Sequence, residues 1–312
     1  MTHVIATKTV YNFIHSWHYK DLRRLARTYK MSGEKELRIV TYMCPTHPVE
    51  LYELIMEVLE QSIGVQATLQ YESRSSGPLS GRPDPFVTDK VDLGFMTAAA
   101  YIRLRDIHKE HMQLLPVTPV FAHQMNVENK PGYFSDIIIH SDKKAHNVNT
   151  LLDLRGCTYA YSNEESLSGS KIVLKTLKEK GENASFFGSV LKSGSHLASA
   201  QMVLTKRAEW AAVDSTTLLY SKKFMQDGGR DITTLETLGR LPPYPVVVNS
   251  RLSDELKKSI VETLLTLPHT KWKNEFAKFG IIKFDANHDG AYNGPASQMW
   301  SIQSEKLNVR YY

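Results

Sequence analysis

Between Gly156 and Gly181 the chain spells out a strand, a serine- and glycine-rich turn and a helix, in that order and with almost no linker. Cys157–Tyr161 is the strand, and Ile172, Val173, Leu174 and Leu177 give the helix an apolar side. Ser166, Ser168, Gly169 and Ser170 lie between them and crowd backbone N–H groups and hydroxyls at the helix start. The first turn of a helix carries unpaired donors and a partial positive charge, so it is a natural seat for an oxyanion. The ordinary alternative is N-capping by Ser166 or Ser168.

The rest of the chain repeats this alternation. Leu37–Tyr42 reads as a strand, and Leu51, Leu54, Ile55, Val58 and Leu59 mark the buried face of a helix that Gly64 ends. Val65–Tyr71 is a second strand, residues 73–85 a loop, Val91–Phe95 a short buried strand, and Thr97–Tyr101 a helix start. Leu114–Ala122 follows as a strand. The pattern then restarts with strands at Asp136–His140, Cys157–Tyr161, Ala184–Phe187 and Trp210–Val213, and a helix at His196–Leu204. Val246–Val248 and two C-terminal helices near 253–267 and 271–279 close the chain. Such alternation predicts α/β layers around largely parallel sheets. At 312 residues the chain has room for two lobes. The expected limits are 37–125 with 240–312 for the first and 126–239 for the second, joined by crossings near 121–132 and 236–245.

The order of Asp92–Tyr101, Leu152–Gly156, Ser166–Gly169, Gly194–His196, Trp210–Asp214 and Leu241–Pro245 resembles the phosphate/phosphite/phosphonate-binding proteins of ABC transporters. The likeness covers roughly residues 37 to 295. It implies a type II periplasmic-binding-protein-like fold, two-lobed with a central cleft and two hinge crossings. It also implies reversible binding of a small phosphonate, phosphite or phosphate anion by hinge closure, with no chemical step and no cofactor. In that family the segment matching Ser166–Gly169 usually reads Ser-Thr-Ser-Gly and grips the ligand; Leu167 replaces the Thr here. The resemblance assigns Ser166, Ser168, Gly169, Ser170, Ser195 and His196 to the oxyanion. Tyr42, Thr97 and Tyr101 would enclose it from the first lobe, where Ala100 stands in place of a family serine. Asp214 would accept from a ligand hydroxyl or cap the helix after it. Tyr244, where some relatives carry an acid, argues against an aminoalkyl ligand.

Other constellations are weaker. Asp285–Gly290 opens like a calcium loop, but its twelfth position is Ala296 where a bidentate Glu is needed; a turn is the simpler explanation and no metal is expected. Cys44 and His47 stand three apart and could form a thiolate nucleophile. That keeps a cleft enzyme of the thiamine-pyrimidine-synthase kind as the alternative function, beside a regulatory protein-binding module. His15 and His18 lack a third ligand nearby.

The net charge of +5 suits a small anion, and no basic stripe interleaved with aromatics points to nucleic acid. No run is long enough for a membrane span, and the first residues lack a secretory apolar core. The expectation is therefore a cytoplasmic protein, with a membrane permease as partner only if the chain is exported. Residues 1–31 hold six basic residues and one acid, a pattern that fits either an amphipathic helix docked on the first lobe or a mitochondrial presequence. Cys44 and Cys157 are expected in different lobes and unpaired.

Overall fold

The computed structural model describes residues 35–294 and 298, apart from 44, 45, 80, 145, 226 and 227. The chain divides into Met1–Lys35 and Glu36–Tyr312. The N-terminal helix expected within 1–31, Cys44 and Ala296 all lie outside the described residues.

In chain order the strands are β1 (Lys35–Thr41), β2 (Val65–Tyr71), β3 (Leu93–Phe95), β4 (Met112–Leu114), β5 (Val117–Phe121), β6 (Tyr133–His140), β7 (Thr158–Tyr161), β8 (Ser189–Lys192), β9 (Trp210–Asp214), β10 (Ile232–Leu241), β11 (Val246–Asn249) and β12 (Ile281–Ala286). The α-helices among the described residues are α1 (Val49–Ile63), α2 (Ala98–Leu104), α3 (Ser141–Lys144), α4 (Ile172–Glu179), α5 (His196–Leu204), α6 (Ser215–Ser221), α7 (Asp254–Thr266) and α8 (Lys273–Ala277). One five-stranded sheet runs β2-β1-β3-β11-β4 and a second runs β10-β6-β9-β7-β8, while β5 and β12 form a separate ribbon. Two sheets, each with its own strand–helix units, give the two-lobed α/β architecture.

The sheets are mixed, not largely parallel. β1 pairs parallel with β3, and β7 with both β8 and β9. β11 is antiparallel to β3 and β4, and β6 is antiparallel to β9 and β10. Parallel pairs need a helical crossover between them, and β6, β10 and β11 are instead the strands by which the chain enters or leaves a sheet. Tyr133 at the start of β6 faces Leu241 at the end of β10.

Local signals explain most elements. α1 buries Leu51, Tyr52, Ile55, Met56, Val58 and Leu59, and Gly64 closes it in the left-handed region at φ 64°, a conformation glycine adopts without strain. The strand expected at Ala184–Phe187 is a 3₁₀ turn instead, because the Asn183 side chain accepts from the Ser185 N–H (2.8 Å) and starts a helical turn. Phe187 then stacks on Trp210, which in turn lies 4.1 Å from Tyr159, ring centre to ring centre. These three rings fill the core behind the turn at Ser166–Ser170.

Candidate ligand-binding cleft

The turn after β7 is wider than an α-helical start. Lys171 N–H bonds to the Ser166 carbonyl (3.0 Å) and Ile172 N–H to that of Leu167, which makes Leu167–Lys171 a single π-helical turn leading into α4. Turns of this kind recur at functional sites. Its carbonyls are held from behind: Tyr159 donates to Gly169 (2.6 Å) and Ser135 to Ser168 (2.7 Å). Ser166 caps the turn by accepting from the Gly169 N–H (2.9 Å). Capping and anion binding are therefore not rivals here, since one hydroxyl satisfies one of several first-turn donors and leaves the turn's open end to the cavity.

His196 stands at the start of α5, whose N-cap Ser195 accepts from Ala198 N–H (3.1 Å). Its Nδ1 accepts from the Asp214 N–H (3.2 Å), so the neutral ring carries its proton on Nε2, which lies 3.2 Å from Ser166 Oγ and 3.3 Å from Ser168 Oγ. Burial pulls the imidazole pKa below its ordinary value, against the Asp214 carboxylate and the Ala212 carbonyl. In the ligand-free cleft the ring is therefore a neutral donor, not a cation. Gly169 is needed for this convergence: a Cβ there would lie 2.6 Å from Ser162 Oγ and 3.0 Å from both His196 Cε1 and Ser166 Oγ.

These groups open on a cavity of about 400 Å³. Thr97, Ser166, Ser168, Ser195, His196 and Asp214 line it, with Leu167 beside them. Gly169 sits directly behind that wall. Ser170 is fully buried and its hydroxyl has no partner among the described residues, but it faces away from the lining. Thr97 caps α2 by accepting from Ala100 N–H (3.3 Å).

Three sequence-based assignments change, and Asp214 takes the helix-capping role of its two alternatives. Tyr42 is buried in the core of the first sheet and does not line the cavity. Tyr101 lies on the side of α2 away from it, donating to Asp289 and meeting Tyr292 edge-on at 4.8 Å. Asp289 of the calcium-like loop is therefore a hydrogen-bond acceptor for Tyr101. Tyr244 lies beneath Asp214, donating to its Oδ2 and stacking on Tyr133 (4.6 Å). Asp214 reaches the lining, yet its Oδ1 is taken by Thr216 (N–H 2.9 Å, hydroxyl 2.7 Å) and its Oδ2 by Tyr244. Its carboxylate serves the wall more than any ligand. His47, considered as a base for Cys44, is buried and bonded to Tyr52 and Thr216.

Several lining residues carried no sequence signal. Ser162 ends β7's run, is 1% exposed, and its hydroxyl has no partner among the described residues. The loop Ser73–Gly77 faces the same cavity and is tied to Thr97, whose N–H bonds to Ser76 (3.1 Å). A Cβ on Gly77 would lie 2.5 Å from that of Ala100, so the bare glycine lets the loop settle onto α2. Arg74, Arg103, Glu164 and Lys192 also contribute to the wall.

A family profile described as ABC transporter, phosphonate, periplasmic substrate-binding protein matches residues 38–292. The phosphonates-binding periplasmic protein of Escherichia coli (strain K12) is 25% identical over 173 residues, 54% of this chain and 51% of that protein, so the match spans about half the length of that relative. The fold is similar to a binding-protein component of an ABC phosphonate transporter from Pseudomonas aeruginosa, with a TM-score of 0.66 and 18% identity over 83% of each chain. It is also similar to a methylphosphonate-bound protein of Prochlorococcus marinus (MIT 9301), with a TM-score of 0.61 and 14% identity over 83% of this chain and 94% of that one. The family's description is periplasmic, against the cytoplasmic expectation. None of the described helices is long and apolar enough to cross a membrane. With strand order, helix-start turn and profile in agreement, the chain belongs to the ABC-transporter phosphonate periplasmic substrate-binding protein family.

Proposed function

We propose that this protein binds a small phosphonate-class oxyanion in the cleft, reversibly and without turnover, as the solute-binding component for a membrane permease. The observation that carries this reading is the convergence of the open Leu167–Lys171 turn, the His196 Nε2 and the Ser166 and Ser168 hydroxyls on one cavity. The unpartnered Ser162 hydroxyl adds a donor beside them. Neutral donors at a helix N-terminus favour an anion through their partial positive charge and unpaired N–H groups. Phosphonate, phosphite and phosphate share the tetrahedral oxygens such a seat grips.

In this reading the first lobe runs over 37–125 and 240–312 and the second over 126–239, and they close on the ligand by hinge motion. Isothermal titration calorimetry with methylphosphonate, phosphite, phosphate and sulfate tests it. Ligand at about 100 times its Kd should also add about 2.7 kcal/mol to stability. Absence of heat and of thermal shift with every anion of the panel would overturn the reading.

A further inference from the structure

Among the described residues, Arg103 is the cation of the cleft wall that has no ion-pair partner. Arg74 is paired with Glu72, and Lys192 with Glu164 at 2.7 Å. Among the described residues Arg103 has no carboxylate partner. Its Nε is buried without a hydrogen-bond partner, and its Nη2 reaches only the Pro78 carbonyl, at 3.5 Å. Buried guanidinium N–H groups left without an acceptor are costly, and native structures seldom leave them so without a reason. The guanidinium is a planar fork of donors whose geometry suits two oxygens of one anion. Small side chains keep it accessible: Ala99 and Ala100 share the lining with it, and Gly77 passes beneath.

Size points the same way. As the cleft stands, its volume of about 400 Å³ admits a ligand longer than a tetrahedral anion with a single methyl. Arg103 stands on α2, on the side of the first sheet, whereas the helix-start turn and His196 belong with the second sheet. The free donors of the two sides face one space from opposite walls.

We infer that the ligand carries a second anionic group, a carboxylate on a short chain from the tetrahedral centre, taken by the Arg103 fork while the Leu167–Lys171 turn holds the tetrahedral oxygens. The inference rests on the binding reading above and names its ligand class. A phosphonocarboxylate and a phosphate ester of a hydroxy acid share this chemistry. Because the two anionic ends engage different lobes, such a ligand bridges the cleft, and an uncharged tail does not.

Calorimetry at pH 7.5 with phosphonoacetate and isobutylphosphonate, whose two methyls replace the carboxylate oxygens, tests the inference. Phosphonoacetate should bind about tenfold tighter or more, as expected for charge-assisted hydrogen bonds. Arg103→Gln should erase that gap, weakening phosphonoacetate far more than isobutylphosphonate; Arg103→Lys should restore part of it. Phosphoglycolate binding as tightly as phosphonoacetate would support the shared chemistry and point to the ester as source. Equal affinity of the two probes for the unaltered protein, a gap that survives Arg103→Gln, or tighter binding of 2-aminoethylphosphonate would overturn the inference and leave the binding reading standing. Failure of every probe and of methylphosphonate would remove both. The comparison on the unaltered protein decides the matter even if the variants fold poorly.

Discussion

His47 Nε2 lies 2.7 Å from Thr216 Oγ1, and this bond joins the segment after β1 to the helix after β9. The hydroxyl of Tyr52 lies 3.0 Å from Nδ1, and Thr216 in turn donates to Asp214 (2.7 Å). A neutral imidazole accepts on one nitrogen and donates from the other, so the bonds run in one direction from Tyr52 to the carboxylate in the cleft wall. His47 is stacked on Phe121 and buried, and burial brings its pKa down to about 4.

That shift fixes a pH dependence. An unfolded chain protonates this histidine near 6.5 and the native chain only near 4. Between those values the unfolded state binds more protons, so stability falls as pH drops from about 6.5 toward about 4, by up to about 1.4 kcal/mol per unit. Melting temperature measured from pH 7.5 to 4.5 should fall more steeply for the native sequence than for His47→Gln. His196 shifts in the same direction, so the variant should retain part of the slope.

Ser162→Ala removes a buried hydroxyl that no described group satisfies. Its loss should leave the melting temperature of the unliganded protein unchanged or slightly raised. Affinity for methylphosphonate should fall by about tenfold, the cost of one hydrogen bond to a charged partner. Calorimetry beside a thermal melt separates the two effects.

Gly169→Ala would put a methyl 2.6 Å from Ser162 Oγ and 3.0 Å from His196 Cε1. The ring and both hydroxyls must move apart, and a loss of about tenfold or more in methylphosphonate affinity is expected even where the fold persists. Ser168→Asp should be more severe, since it sets a like charge at the seat.

Tyr101→Phe provides the opposite case. The hydroxyl serves Asp289 and lies away from the cleft. The substitution should cost no more than about 0.5–1.5 kcal/mol of stability, because Asp289 is exposed and water can replace the lost donor. The Kd for methylphosphonate should stay within about twofold. A large loss of affinity would mean that α2 presents a different face to the ligand.

Local chemistry carried much of this architecture. β2, α5 and the Gly64 cap could be read because periodicity and end signals sit inside each segment. β10 could not: Ile232–Leu241 is half-buried along most of its length and has no apolar alternation. The residues of the helix-start turn were legible because helix N-termini advertise themselves through Ser and Gly. Arg103, Ser162 and the Ser73–Gly77 loop were not, since only the tertiary fold decides which surface arginine or serine ends beside a cavity. Tyr101 erred for a related reason. A helix of seven residues turns its side chains to every direction, and one position of rotation separates the cleft from the Asp289 side.

The pairing of Tyr133 with Leu241 has a mechanical meaning. The backbone departs for the second sheet and comes home through neighbouring residues, so that residues 133–241 are one excursion hung on two adjacent pins. A swing about those pins, in the proposed closure, would move the Ser166–His196 wall without unthreading any strand. In that closure the residence of a solute would depend on the stiffness of this short doorway as well as on the groups that touch the solute.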